Sequence, residues 1–514
     1  MASKAEWAPV WLKVDQASPL RVLAALVTVG IVYVIASSIY NVTIHPLASI
    51  PGPKLCAISR WPYFIASIKG EDVHFIRALH TRFGPVVRFG PRDVSHTSPQ
   101  AWKDIYGHEK GMKDLEKPLS FFVQPVNGTT CVPSMLSTSS AQHARVRRIF
   151  SPAFSDRSLR QQESLFKRYA DQLVSKLHEL GEDGKPVEMT SMYNFASFDI
   201  MADICFGNPL GLLARAEYNP WLRAIFESIE MHPFAAIIGY YPVLRAIFKW
   251  FEPKKIWEMR KAHCQFSADR VDERLRVESN QPDLWNLVIE AQDRDNSLSR
   301  EEMHSNAEIF MLAGSETTVI NVAATLLAGI TYYLLANPDI LKVVYEEIRV
   351  SFPNAKDINF DSLAGLKYTN ACLKEALRIY PPVPIGTPRV IGEGGRVIDG
   401  RWLPPGTWAS VHINSALHFE PYFKDPYVFA PGRWLGHPEY KDDNLEAFQP
   451  FGYGPRNCIG QNMAMHELRL LLATVLHTFD LELCESMNWV DQKAFAVWKK
   501  KPLMVRFKQV VRGT

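Results

Sequence analysis

Phe451-Gly452-Tyr453-Gly454-Pro455-Arg456-Asn457-Cys458-Ile459-Gly460 is the stretch that decides how the rest of the chain is read. One cysteine stands among glycines at 452, 454 and 460, with an arginine two residues upstream. Glycine at this density predicts a loop whose backbone takes positive φ angles and lies close to a flat partner. Immediately downstream, Met463, Leu468, Leu471, Leu472, Val475 and Phe479 recur at helical spacing. Cys458 therefore precedes a helix N-terminus, where the macrodipole and unpaired N–H groups favour a thiolate. A thiolate on a glycine-rich loop beside a cation meets the needs of an axial ligand to haem iron. Taken alone, the cysteine is better read as a buried free thiol in a turn. The ten residues together favour the ligand.

The segment resembles the haem-binding loop of cytochrome P450s, F-x-x-G-x-R-x-C-x-G, and matches it at every fixed position: Phe451, Gly454, Arg456, Cys458 and Gly460. The resemblance implies that Cys458 is the proximal ligand to the iron of haem b. It also implies that Arg456 pairs with a haem propionate and that Phe451 packs beside the thiolate. Gly454 and Gly460 belong to the same cofactor-binding loop.

The chain has 514 residues, 47% of them hydrophobic and 22% charged, which suits a globular protein able to bury a large core. Its net charge of +3 is too small to argue for nucleic-acid binding. Cysteines at 56, 131, 205, 264, 372, 458 and 484 show neither paired nor metal-finger spacing, which suits a reducing compartment. The N-terminus departs from a soluble composition: no charged residue occurs from Val22 to Ile44. About 20 apolar residues span a bilayer core. The rival is a cleaved signal peptide with a weak site at Ala36-Ser37-Ser38, but the apolar run exceeds the usual h-region of about 7–15 residues. Residues 1–45 are accordingly expected to be a lumenal N-terminus and transmembrane anchor. Residues 46–54 are expected to form a proline-rich hinge, and 55–514 the catalytic domain. The flanking Lys and Arg counts do not orient the anchor. Resemblance to microsomal P450s implies a single pass through the endoplasmic reticulum membrane with a cytosolic catalytic domain. The sequons at Asn41 and Asn127 would then stay unglycosylated.

Pro85–Phe89, a Gly90-Pro91 turn and Asp93–Thr97 predict a β-hairpin. Most of residues 140–380 reads as helix, with strands concentrated near both ends. The fold class expected is mainly α with small β-sheets, the cytochrome P450 fold behind an N-terminal transmembrane helix. His143-Ala144-Arg145-Val146-Arg147-Arg148 opens a basic helix. The family usually has W-x-x-x-R here; this chain carries His143 in place of the tryptophan, and Arg147 matches. Both are expected within reach of a haem propionate. Arg145 or Arg148 could face outward and attract an acidic redox partner.

Ser299-Arg300-Glu301-Glu302 is a capping box, and the helix it opens is expected to run to about Asn337-Pro338. At about 1.5 Å per residue such a helix is roughly 50 Å long and crosses the whole domain. Mid-way, Ala313-Gly314-Ser315-Glu316-Thr317-Thr318 places a glycine, an acid and two threonines where an apolar helix should be strongest. By itself that is equally an ordinary kink. It resembles the oxygen-activating P450 motif (A/G)-G-x-(D/E)-T-(T/S) throughout. The resemblance puts Ala313, Gly314 and Thr317 over the distal side of the haem, with Thr317 and Glu316 delivering protons during oxygen activation.

Glu375-Ala376-Leu377-Arg378 sets acid and base at i, i+3, a pattern that any exposed helix can carry. Its position between the oxygen motif and Pro431-Gly432-Arg433-Trp434 gives it meaning. Resemblance to the family implies a buried triad of Glu375, Arg378 and Arg433. Pro382–Arg389 reads as a strand entering the pocket, with Arg389 a third propionate candidate. Lys493–Trp498 and Leu503–Phe507 read as a closing β-hairpin. Phe121, Phe122, Phe310, Met311 and Ile385 are expected to line an apolar cavity.

With four motifs in family order, the resemblance implies a membrane-anchored monooxygenase that acts on a hydrophobic small molecule. Its electrons would come from NADPH through NADPH-cytochrome P450 reductase, with cytochrome b5 a second possible donor. His45-Pro46-Leu47 and Phe150-Ser151-Pro152-Ala153-Phe154-Ser155 resemble filamentous-fungal P450s of secondary metabolism. Two alternatives stand beside this expectation: a haem-thiolate isomerase or dehydratase needing no external electrons, and a non-catalytic haem-binding protein.

Overall fold

The structure, a computed structural model, describes residues 19–118, 132–251, 254–276, 284–291, 297–312, 320–484 and 488–510. The helices that build or carry the site are α1 (Pro19–Thr43), α2 (Trp61–Lys69), α3 (Ser140–Phe150), α4 (Met189–Phe206), α5 (His232–Tyr240), α6 (Arg300–Leu312), α7 (Ile320–Ala336), α8 (Lys367–Ile379) and α9 (Gln461–Thr478). Helix α7 is central and packs against α4, α8 and α9. Its Ala323, Ala324, Leu326, Leu327, Ala328 and Ile330 are fully buried, as expected of a helix that is apolar all round. The Tyr193 and Thr331 hydroxyls, 2.9 Å apart, satisfy each other between α4 and α7.

The capping box that opens α6 is reciprocal. The Glu302 N–H donates to Ser299 Oγ at 3.2 Å, and the Ser299 N–H donates to Glu302 Oε2 at 3.0 Å. Helices α6 and α7 occupy both ends of the expected long helix. The hexapeptide between them, with Ala313, Gly314, Glu316 and Thr317, lies outside the described residues.

A four-stranded sheet has the order β1 (Val86–Arg88), β2 (Asp93–His96), β7 (Trp408–Val411), β4 (Arg389–Val390). The β1–β2 pair is the hairpin expected around Gly90-Pro91, and β2 runs parallel to β7. Strands β5 (Arg396–Ile398) and β6 (Arg401–Leu403) form a separate hairpin. Two expectations fail here. The strand Pro382–Arg389 shortens to β4, because Pro382, Pro384 and Pro388 have no N–H to give a ladder. The closing hairpin does not pair 493–498 with 503–507. Instead β9 (Ala494–Phe495) turns back on β10 (Val497–Trp498) through Ala496, whose φ is 69°. Strand β11 (Met504–Gln509) pairs with β8 (Phe479–Leu483) and β3 (Val187–Glu188), where Phe507 meets Phe479 edge-on at 5.4 Å.

Leu20–Thr43 within α1 has a mean hydropathy of 2.4, and no part of its apolar window is buried. It is long and apolar enough to cross a bilayer. Leu47 and Ile50 are buried in the same cluster as Val94, Trp102 and Val411.

Candidate active site

The 451–460 loop is shaped by two glycines and closed by backbone hydrogen bonds. Gly452 and Gly454 have φ of 75° and 77°, and a Cβ on Gly454 would stand 1.9 Å from the Tyr106 carbonyl oxygen. No other residue fits at 454. Gly460, with φ −90°, is the residue before α9 and needs no such freedom. The Cys458 N–H donates to the Phe451 carbonyl at 2.9 Å, which brings the first and eighth residues of the loop together. Phe451 and Cys458 are both half-buried against the main core.

Burial pushes the Cys458 thiol up to about 11, although the Gly460 N–H and the Arg147 guanidinium pull it down. The helix terminus and the neighbouring cation thus do not by themselves make the thiolate expected from the sequence. Desolvation outweighs them, and a metal ion is what would hold the sulfur deprotonated.

The cations expected around a propionate do converge. His143, on α3, is buried. Burial comes first among the causes that push its imidazole down to about 3, followed by Arg456, Arg147, Lys117 and Arg389. Arg456 Nη2 donates to Thr138 O at 2.8 Å and lies 3.2 Å from Glu116. Its Nη1 is buried with no acceptor among the described residues. Burial holds Arg389 down to about 10, its guanidinium 4.9 Å from the centre of the Tyr106 ring. Lys117, which the sequence did not single out, donates to Leu136 O at 2.8 Å and is held well below the usual lysine value by burial, Arg389 and Arg456. A neutral imidazole and a bare guanidinium nitrogen amid like charges fit the acidic edge of a haem. Nothing in the sequence around Lys117-Pro118 marks that lysine.

Arg147 also binds the loop itself. It donates from Nη1 to the Asn457 carbonyl at 2.6 Å and from Nη2 to Asn457 Oδ1 at 2.7 Å, beside the Cys458 sulfur. Arg145 does not face outward. It donates to Ser297 O at 2.7 Å and pairs with Glu302, whereas Arg148 is exposed. Phe310 is buried in the core, edge-on to Phe150 at 4.8 Å and close to Phe154. Ile385 is half-buried against the same core. Phe121, Phe122 and the Met311 side chain lie outside the described residues.

Glu375, Arg378 and Arg433 are fully or almost fully buried and meet in one network. Arg378 donates to both Glu375 oxygens, at 2.9 and 2.8 Å, and to Leu417 O and Pro426 O. Arg433 Nε lies 3.2 Å from Glu375 Oε2, and its Nη1 pairs with Asp443. The Trp434 indole N–H donates to Glu375 at 2.9 Å and the Ala430 N–H at 3.1 Å. Asp443 completes the charge balance, with two carboxylates to two guanidinium groups. In the sequence it sits in Lys441-Asp442-Asp443-Asn444, which reads as solvated surface.

The pattern of the family described as Cytochrome P450 matches residues 57–507. The chain is 44% identical over 497 residues to the cytochrome P450 monooxygenase efuB of Hormonema carpetanum, covering 95% of this chain and 97% of that one. It is 42% identical to the cytochrome P450 monooxygenase FUM2 of Gibberella moniliformis, over 91% of this chain and 99% of the relative. To the cytochrome P450 monooxygenase lcsI of Purpureocillium lilacinum it is 40% identical, over 94% of each. The chain belongs to the cytochrome P450 family, monooxygenases that carry haem b on a cysteine thiolate.

Proposed function

We propose that this chain holds haem b on Cys458 and oxidises a hydrophobic small molecule of fungal secondary metabolism with O2, inserting one oxygen atom by hydroxylation or epoxidation, or removing two hydrogens by desaturation with both oxygen atoms leaving as water. One observation carries the site assignment: Arg456 Nη1 of the Cys458 loop, buried with no acceptor among the described residues, beside a neutral His143. Haem, when bound, supplies the activation of dioxygen. Arg456, His143, Lys117 and Arg389 would hold its propionates. Arg147 fixes the loop through Asn457. The Glu375–Arg378–Arg433 network braces the segment that leads into that loop. Thr317 with Glu316 would direct protons to oxygen, a role that rests on their motif. The redox partner is NADPH-cytochrome P450 reductase, with cytochrome b5 as a second donor. The exposed Arg148 and the cleft of about 270 Å³ beside it, lined by Arg147, Pro455 and Arg456 among others, offer a basic landing place.

We place the protein in the endoplasmic reticulum membrane, with α1 crossing once and the catalytic domain cytosolic. Leu55, Trp61 and Ile65 near α2, and Val243, Ile247 and Trp250 in the helix Pro242–Phe251, are exposed apolar side chains that suit a lipid surface. Deleting residues 1–40 should move much of the protein from membrane pellet to supernatant with haem retained. Deletion through Leu47 would also remove a fully buried core residue.

The test is co-expression with the reductase, labelled dioxygen and candidate metabolite pools. Label in the product, or a loss of two hydrogens without label, dependent on NADPH, supports the assignment. Turnover without reductase or NADPH would instead favour an isomerase or dehydratase. The reduced protein with carbon monoxide should show the red-shifted Soret band of thiolate ligation, and Cys458→Ala should abolish it.

A further inference from the structure

Arg88, on β1, is 2% exposed, and its side chain makes a long-range hydrogen bond to the end of α1. Nη1 donates to the Asn41 carbonyl at 2.8 Å, Nη2 to Pro91 O at 2.7 Å and Nε to Gly90 O at 3.3 Å. The last carbonyls of a helix have no partner within it and carry the negative end of the dipole, so a guanidinium is a fitting cap. The buried charge is balanced by Asp93, whose carboxylate also lies 3.3 Å from Arg60. Arg60 in turn sits 4.7 Å from the Tyr240 ring centre of α5 and 5.3 Å from that of Phe64 in α2.

The chain between α1 and β1 leaves little slack. The Ile44 and His45 N–H groups donate to Tyr40 O at 2.9 and 2.8 Å, Leu47 N–H to His45 Nδ1 at 3.0 Å, and Ala48 N–H to His45 O at 2.7 Å. The Arg88 N–H then donates to Pro51 O at 2.8 Å. A Cβ on Gly52 would meet Arg88 O at 2.2 Å, so the connector lies directly on the strand. Prolines at 46, 51 and 53 remove backbone freedom from what remains.

We propose that Arg88 is a positioning residue that joins the anchor to the catalytic domain as a fixed joint, so that α1 sets one tilt of the domain on the bilayer. That tilt holds the apolar side chains of α2 and of the helix Pro242–Phe251 against lipid. The proposal rests on α1 being a membrane span.

The full-length holoprotein in oriented bilayers of phosphatidylcholine gives the test, through polarised absorption of the Soret band. Two variants are compared with the parent: Arg88→Ala, and an insertion of two glycines between Thr43 and Ile44 that leaves Arg88 in place but takes Asn41 out of register. The expected result is strong dichroism in the parent and its loss in both variants, while both stay in the membrane pellet and keep the carbon monoxide band. Unchanged dichroism in both membrane-bound variants overturns the fixed joint and leaves the anchor standing. A parent protein that stays in the supernatant overturns the anchor and the joint with it. If Arg88→Ala does not fold, the insertion variant decides alone.

Discussion

Arg147 and Asn457 are joined by two hydrogen bonds, 2.6 Å to the asparagine carbonyl and 2.7 Å to its side-chain oxygen, across the residue that precedes Cys458. A planar fork with two donors suits this pair of acceptors, and an ammonium does not. The loop that presents the sulfur is therefore held from α3, which is distant in sequence.

Loosening that clamp should release haem. Hydrogen bonds to a charged group contribute about 1.5–3 kcal/mol, so Arg147→Leu should speed haem transfer to an apoprotein acceptor by roughly 10- to 100-fold. Arg147→Lys should recover only part. Stopped-flow transfer to apomyoglobin measures it, and an unchanged rate would show that the loop stands without the clamp.

Arg433 touches both carboxylates of its network, so Arg433→Ala should leave Glu375 and Asp443 short of a partner inside the protein. Breaking a buried pair typically costs about 3–5 kcal/mol. The variant should express with little haem and a lowered urea midpoint. Asp443→Asn, which keeps a hydrogen-bond acceptor, should be milder. Equal losses would mean that charge, and not hydrogen bonding, matters at 443.

Glu467 of α9 is fully buried, bonded to the Ser197 hydroxyl of α4, with Oε2 lacking a partner among the described residues. Burial pushes its carboxyl up to about 8 from 4.5. The folded state then binds a proton that the unfolded state has lost. Its contribution to stability is present in full below the unfolded value and is lost as pH rises through about 8. Glu467→Gln mimics the neutral acid. Its melting temperature should pull ahead of the parent progressively as pH rises from 4.5 to about 8 and keep a constant lead above that, a difference that cancels the buried histidines shared by both proteins. Parallel curves would place the proton elsewhere.

In the haem-free protein the Cys458 thiol, raised to about 11, should resist iodoacetamide at neutral pH and react faster as pH climbs. Peptide mapping after alkylation reads this site separately from the other cysteines. Fast labelling at neutral pH would show that the helix end and Arg147 outweigh burial after all.

Thr317→Ala should keep the carbon monoxide band and continue to consume NADPH, while product per NADPH falls and hydrogen peroxide rises. Positioned proton transfer is worth about 10²–10⁴-fold, and water can replace part of it, so the effect should lie at or below the lower end. Unchanged coupling would make Thr317 a packing residue.

The parts legible in the sequence are those whose causes are local. The Ser299–Glu302 box closes within one helical turn, the β1–β2 hairpin turns within the four residues 89–92, and Gly454 is forced by its own φ and one close contact. Family membership was legible for the same reason, since the Cys458 loop is ten consecutive residues. What only the tertiary structure decided is which distant partner each charge and strand finds. Lys117 looks like any loop lysine until folding sets it beside Arg389 and Arg456. Asp443 looks like surface until Arg433 reaches it, and nothing in the sequence pairs Arg147 with the two oxygens of Asn457. Strand β11 left the expected hairpin because Ala496 had already turned the chain and β8 offered an edge. A buried charge or an open strand edge has many candidate partners of equal propensity along a chain. Which one it meets depends on desolvation and packing, and those exist only once the core has closed.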